Sequence, residues 1–116
     1  MTRDDILALT GRELDAAVAK NVMGLDIETF NGITSCKDKT PTGYVTWRQV
    51  CRYSSDRNAA ALVLAEIERR GLCYAFCRRF VQVGPTPDRD YEVQWACLTA
   101  SPADICRAAL LAVEGE

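Results

Sequence analysis

Ala60, Val63, Leu64 and Ile67 stand at i, i+3, i+4 and i+7, which puts four apolar side chains on one helical stripe and leaves Glu66, Glu68, Arg69 and Arg70 largely on the wet side. Ser54 or Ser55 supplies the N-cap, Asp56 adds favourable charge in the first turn, and Gly71 supplies the stop after Arg70. A helix this short is marginal alone, so its stripe must be buried against another element. A second helix is expected over 11–23. Thr10 and Glu13 form a T-x-x-E capping box there, Leu14, Ala17, Val18 and Val22 form its stripe, and Gly24 ends it. Thr2 can cap a single helical turn ahead of it. At 116 residues the chain has the length of one core, so 1–116 is expected to be a single domain.

Between these helices the 3.6-residue period disappears. Asn31-Gly32, Pro41 and Gly43 punctuate the stretch from Leu25 to Arg52, with Tyr44 to Trp47 as the best strand and Ile33 to Cys36 a weaker one. Leu72 to Val83 and Tyr91 to Thr99 are β-rich runs joined through Pro85 and Pro87, which reads as an antiparallel hairpin. The first run is apolar on both faces, as in a sheet covered on both sides. Ser101-Pro102 then opens a last helix running to about Val113, with Ile105, Cys106, Ala109, Leu110, Ala112 and Val113 on its broad apolar face and Asp104, Arg107, Leu111 and Glu114 on the other. The expected fold class is α+β: a single-domain α-β-α sandwich with an antiparallel sheet of about three to four strands and two to three packed helices.

The composition narrows the chemistry. There is no histidine, which removes Ser-His-Asp and Cys-His nucleophile pairs and imidazole metal ligation. Six cysteines contain no C-x-x-C pair, so neither a zinc site nor, without an export signal, a disulfide framework is indicated. The carboxylate pairs Asp4-Asp5, Glu66 with Glu68, and Asp88 with Asp90 have ordinary capping or turn explanations, and no phosphate-binding glycine motif is present. The expectation is a non-enzyme without metal or cofactor. No apolar run has the length of a membrane span, and acid stands where a signal peptide carries basic charge, so an intracellular protein without membrane association is expected. A formal net charge of -2 argues against binding to extended nucleic acid.

Eleven arginines against three lysines remain to be explained. Arg48, Arg52 and Arg57 flank Trp47 and Tyr53, while Arg78 and Arg79 lie among Tyr74, Phe76 and Phe80, with Trp95 on the expected partner strand. Guanidinium forks pair with phosphate and rings stack on bases, so this combination suits a nucleotide-like ligand. Arginine on an exposed strand face is also an ordinary solvated group, and abundant Arg and Ala follow from GC-rich codons. Arg107, with Asp104 three residues before it, is either a surface ion pair or faces a pocket or a second protomer. The candidate ligand-binding set is therefore Arg107, Trp95, Arg78, Tyr53, Arg52 and Asp104. Cys106 lies just beyond the first turn of the last helix, where core packing is the simpler role for it.

Gly11-Arg12-Glu13-Leu14-Asp15 with Val18-Ala19-Lys20 and Val22-Met23-Gly24, then Tyr53-Ser54-Ser55-Asp56 before a helix ending Arg70-Gly71, then Ile105 to Leu110, together resemble the phage ABA sandwich domain proteins. Leu25 stands where that family often has Trp, and Ser55 where it usually has Thr. The resemblance implies an α-β-α fold and viral origin. The fold also looks like that of phage anti-Thoeris sponge proteins, which oligomerise and sequester nucleotide-derived immune signals with aromatic and arginine residues and no chemistry. What this implies is a homo-oligomeric counter-defence protein in the host cytoplasm that binds a cyclic ADP-ribose type or cyclic oligonucleotide signal. The alternative is a phage interaction module that inhibits a host defence protein such as a nuclease.

Overall fold

The Thr2 hydroxyl accepts the Asp5 amide at 3.2 Å while the Asp5 carboxylate accepts the Thr2 amide at 3.0 Å, a reciprocal cap that starts α1 (Arg3–Ala8). The computed structural model describes residues 2–31, 33–39, 41–80, 83 and 100–114. After α1 come α2 (Gly11–Asn21), β1 (Asp26–Phe30), β2 (Ile33–Lys39), β3 (Val45–Gln49), α3 (Arg57–Arg69), α4 (Cys73–Phe80) and α5 (Pro102–Val113). The chain is α+β, with three antiparallel strands in the order β1-β2-β3 and five helices among the described residues.

α5 is the centre of the helical part and meets each of the other four helices. Its cap is as the sequence implies: the Ser101 hydroxyl accepts the Asp104 amide at 3.2 Å and Pro102 opens the first turn. Ile105, Cys106, Ala108, Ala109, Leu110, Leu111 and Ala112 are all buried. The small side chains among them allow neighbours to approach from several directions at once. Leu111 therefore does not belong to a wet face. Arg107 is also covered: its Nε and Nη2 donate to the Leu9 carbonyl at 3.3 and 3.0 Å and its Nη1 to Asp104 Oδ1 at 3.2 Å. α1 and the junction after it cover the side of α5 that sequence reading left to solvent.

Residues 72–83 were expected as a strand, and here the structure differs. Cys73–Phe80 is helix α4. Leu72, Phe76 and Phe80 recur every four residues, Phe76 is buried, and its ring stacks on Phe80 with centroids 6.0 Å apart. Apolarity on both strand faces was thus a helical stripe sampled at the wrong period. The other half of the expected hairpin, 91–99, lies outside the described residues. α3 ends as expected, with Gly71 at φ 72° and the Leu72 amide bonded back to the Ile67 carbonyl. Its N-cap is Asp56, which accepts the Asn58 amide at 2.9 Å, rather than Ser54 or Ser55. Thr10 occupies the N-cap position of α2 without a side-chain cap bond, so the capping box expected there is found at Thr2 and Asp5 instead.

The sheet register is Ile27 opposite Cys36 and Cys36 opposite Arg48, which puts these three on one face. Cys36 is fully buried, and Ile27 packs on the core where β1 meets α2. Phe30, Ile33, Val45 and Trp47 fall on the opposite face and are exposed, Trp47 by 50%. The two strands expected in this region are present in longer form, and β1 is an addition to them. Asn31 takes the left-handed conformation (φ 52°) that the tight connection after β1 needs.

The Arg107 contacts make a stability prediction. Arg107→Ala should lower unfolding free energy by about 1–3 kcal/mol, the range for stranding a part-buried partner of a charged donor, whereas Asp104→Ala should cost under about 1 kcal/mol as a half-exposed ion pair. Urea titration measures both. An Arg107→Ala protein as stable as the wild type would remove the clamp from this account.

Candidate functional site: a cleft at the start of α2

The turn before α3 is fastened to α2 by two bonds. The Ser54 amide donates to Asp15 Oδ1 at 2.8 Å, and the Ser54 hydroxyl donates to the Gly11 carbonyl at 3.3 Å. Asp15 is a buried carboxylate one turn into the helix, so the bond to a backbone amide offsets part of its desolvation. Gly11 has φ 54°, a conformation glycine adopts without strain, and this backbone turn brings its carbonyl to Ser54.

Between the fastened elements lies a cleft of about 340 Å³, lined by the first turn of α2, the end of β3 and the turn before α3. Arg12 and Arg52 stand at its rim with Gln49, Ser54, Ser55 and Asp15. Both arginines are exposed, and among the described residues neither side chain makes a hydrogen bond or ion pair. The start of α2 contributes as well, because with no cap from Thr10 its first amides lack a side-chain acceptor and carry roughly half a positive charge. The lining therefore holds one carboxylate against two arginines and a helix start, and the local balance is positive in a chain whose formal net charge is -2. The volume lies near the lower end of the roughly 300–1,000 Å³ typical of small-ligand sites. Such a cleft offers charge and hydrogen-bond donors to a compact anion.

Of the sequence-derived candidates, only Arg52 lines this cleft. Tyr53, next to it, is 2% exposed and belongs to the core. Its ring is therefore enclosed and offers no open face for stacking, and burial, then the neighbouring Cys51 thiol, pushes its hydroxyl above the usual tyrosine range. Arg78 is exposed on α4, not on a strand. Arg107 and Asp104 hold α5 to Leu9. Trp95 lies outside the described residues. Arg12, Gln49, Ser54 and Ser55 are the positions that sequence reading did not single out as ligand contacts. The Gly11-Arg12 and Ser54-Ser55 pairs were visible as helix-start signals, yet nothing in their spacing, some forty positions apart, announced that they meet.

The thiols divide into two groups. None of the five described cysteines is in a disulfide; Cys36 and Cys106 are buried, Cys51 is half-buried, and Cys73 and Cys77 are exposed. Burial pushes the Cys106 thiol up to about 12, with the Asp15 carboxylate acting in the same direction and Arg107 against it. It is a poor nucleophile at neutral pH.

Comparison with family models, curated proteins and solved structures returns no match for this chain.

The buried thiol has a measurable consequence. The folded chain keeps the Cys106 proton to about pH 12, whereas an unfolded thiol releases it near 9, so the unfolded state loses protons first and stability should fall as pH rises through that window. Urea midpoints taken at increasing alkaline pH should decline, and Cys106→Ala should flatten the slope. A midpoint independent of pH there would contradict the buried-thiol assignment.

Proposed function

We propose that this protein is a non-catalytic binder that captures a compact anionic ligand of the nucleotide type in the cleft at the start of α2. The observation that carries the reading is the convergence of Arg12, Arg52 and the uncapped first turn of α2 on one cleft. Guanidinium groups and helix-start amides are the two donor types that phosphate recognition uses most. The absence of histidine and the raised Cys106 thiol favour binding over nucleophilic chemistry. Together with the resemblance to phage ABA sandwich domain proteins, this supports a phage counter-defence protein of the host cytoplasm that sequesters a cyclic ADP-ribose type or cyclic oligonucleotide signal, acting as a homo-oligomer. In this reading Arg52 is retained from the sequence-derived site, Arg12 joins it, and Arg107, Asp104 and Tyr53 are structural.

A second reading rests on a separate observation. Phe30, Ile33, Val45 and Trp47 share the outer sheet face, and exposed apolar clusters mark protein contacts. That face suits a host defence protein, such as a nuclease, bound and inhibited by the sheet.

Calorimetry with cyclic oligonucleotides and cyclic ADP-ribose isomers separates the two readings. Under the first, one member of the panel binds, and Arg12→Ala and Arg52→Ala each weaken binding by about 1–3 kcal/mol, while Arg107→Ala binds as the wild type does at temperatures where it is folded. Absence of heat with every member, accompanied by a stoichiometric host protein that Trp47→Ala no longer retains, would replace the first reading with the second.

A further inference from the structure

Cys73 and Cys77 stand one turn apart on α4, and both are exposed. Phe76 and Phe80 point α4 into the core on the other side, so the outward arc consists of Cys73, Tyr74, Cys77 and Arg78. On a helix, side chains four residues apart have Cβ atoms about 5–6 Å apart. A disulfide needs them at about 3.5–4.5 Å. The helix therefore presents the two sulfurs side by side while opposing a direct bond between them.

A bridging ion fits that spacing. Metal–thiolate bonds of about 2.3 Å let one ion hold sulfurs up to about 4.6 Å apart, a span that two Sγ atoms leaning together from these positions reach. Among the described residues no group of three His, Cys, Asp or Glu is arranged to hold a metal, so these residues offer the ion the two thiolates of α4 without a third such ligand. That suits a soft ion content with two sulfurs and disfavours Zn(II), whose structural sites use four ligands.

We propose that Cys73 and Cys77 form a surface site for a soft thiophilic cation of the Cu(I) type. Two thiols lose two protons, two metal–sulfur bonds form, and no electron is transferred. One positive ion on two thiolates leaves a single negative charge, which the exposed Arg78 guanidinium on the same arc offsets. The site is independent of the cleft at the start of α2.

The test is anaerobic Cu(I) titration of the full chain against a chromophoric Cu(I) chelator, with native thiols counted before and after. One Cu(I) should bind per chain and protect two thiols from a thiol-reactive dye. Cys73→Ser and Cys77→Ser should each weaken binding at least about 100-fold, more than loss of a residue that only orients a ligand. Both variants should keep the wild-type unfolding midpoint, since the positions are exposed, and Cys51→Ser should retain the ion. Undiminished copper in the Cys73→Ser/Cys77→Ser double variant, or no competition with the chelator by the wild type, would overturn the proposal.

Discussion

The packing of α5 is the interaction on which the other elements depend. A helix that touches four others must have small residues on several sides, and Cys106, Ala108, Ala109 and Ala112 supply them between Ile105, Leu110 and Leu111. Larger side chains at the alanine positions would push neighbours outward and strand the apolar stripes of α2 and α3, because close-packed interiors have little room for added methylenes. The Arg107 guanidinium completes the arrangement by reaching across to Leu9, 98 positions earlier in the chain. One end of the sequence thereby holds the other.

The cleft depends on a different link of the same kind. Asp15 is a core residue by burial and a polar anchor by chemistry: its carboxylate fixes the Ser54 amide, and Ser54 in turn bonds the Gly11 carbonyl. With the turn so held, Arg52 is kept in the lining of the cleft together with Arg12. Stability and site are thus coupled through a buried charge, the usual situation for an internal carboxylate whose partners cannot be removed without leaving it uncompensated.

What could be read from sequence follows a physical division. The glycine stop of α3 and the serine-proline start of α5 are local signals that the structure repeats, and the α3 stripe is repeated at Ala60, Val63 and Ile67, with Ala59 buried beside them and Leu64 exposed. The α+β class was legible for the same reason. α4 was misread because Tyr, Phe and Cys favour strands, and eight residues are too few for the 3.6 period to stand out against alternation. Arg107 was placed on the polar side of the last helix by its spacing, with surface, pocket and protomer contacts left open, because its partner, the Leu9 carbonyl, is 98 positions away. The cleft was the least legible part: the segments that carry Arg12 and Arg52 are brought together by the tertiary bonds of Ser54 to Asp15 and Gly11, and the candidate aromatic beside Arg52 turned inward.

The burial of Cys36 reaches beyond packing. It is a fully buried residue of β2, on the face it shares with Thr34, and Lys37 is next to it on the outer face, opposite Trp47. A slip of β2 by one position in the direction that brings Lys37 to the place of Cys36 would move an ammonium group into the core and a thiol into water. Lysine there would have no prepared partner, and an unpaired buried charge is among the most expensive errors a fold can make. The Cys36-Lys37 step therefore opposes one direction of slip and helps to fix the pairing of both hairpins.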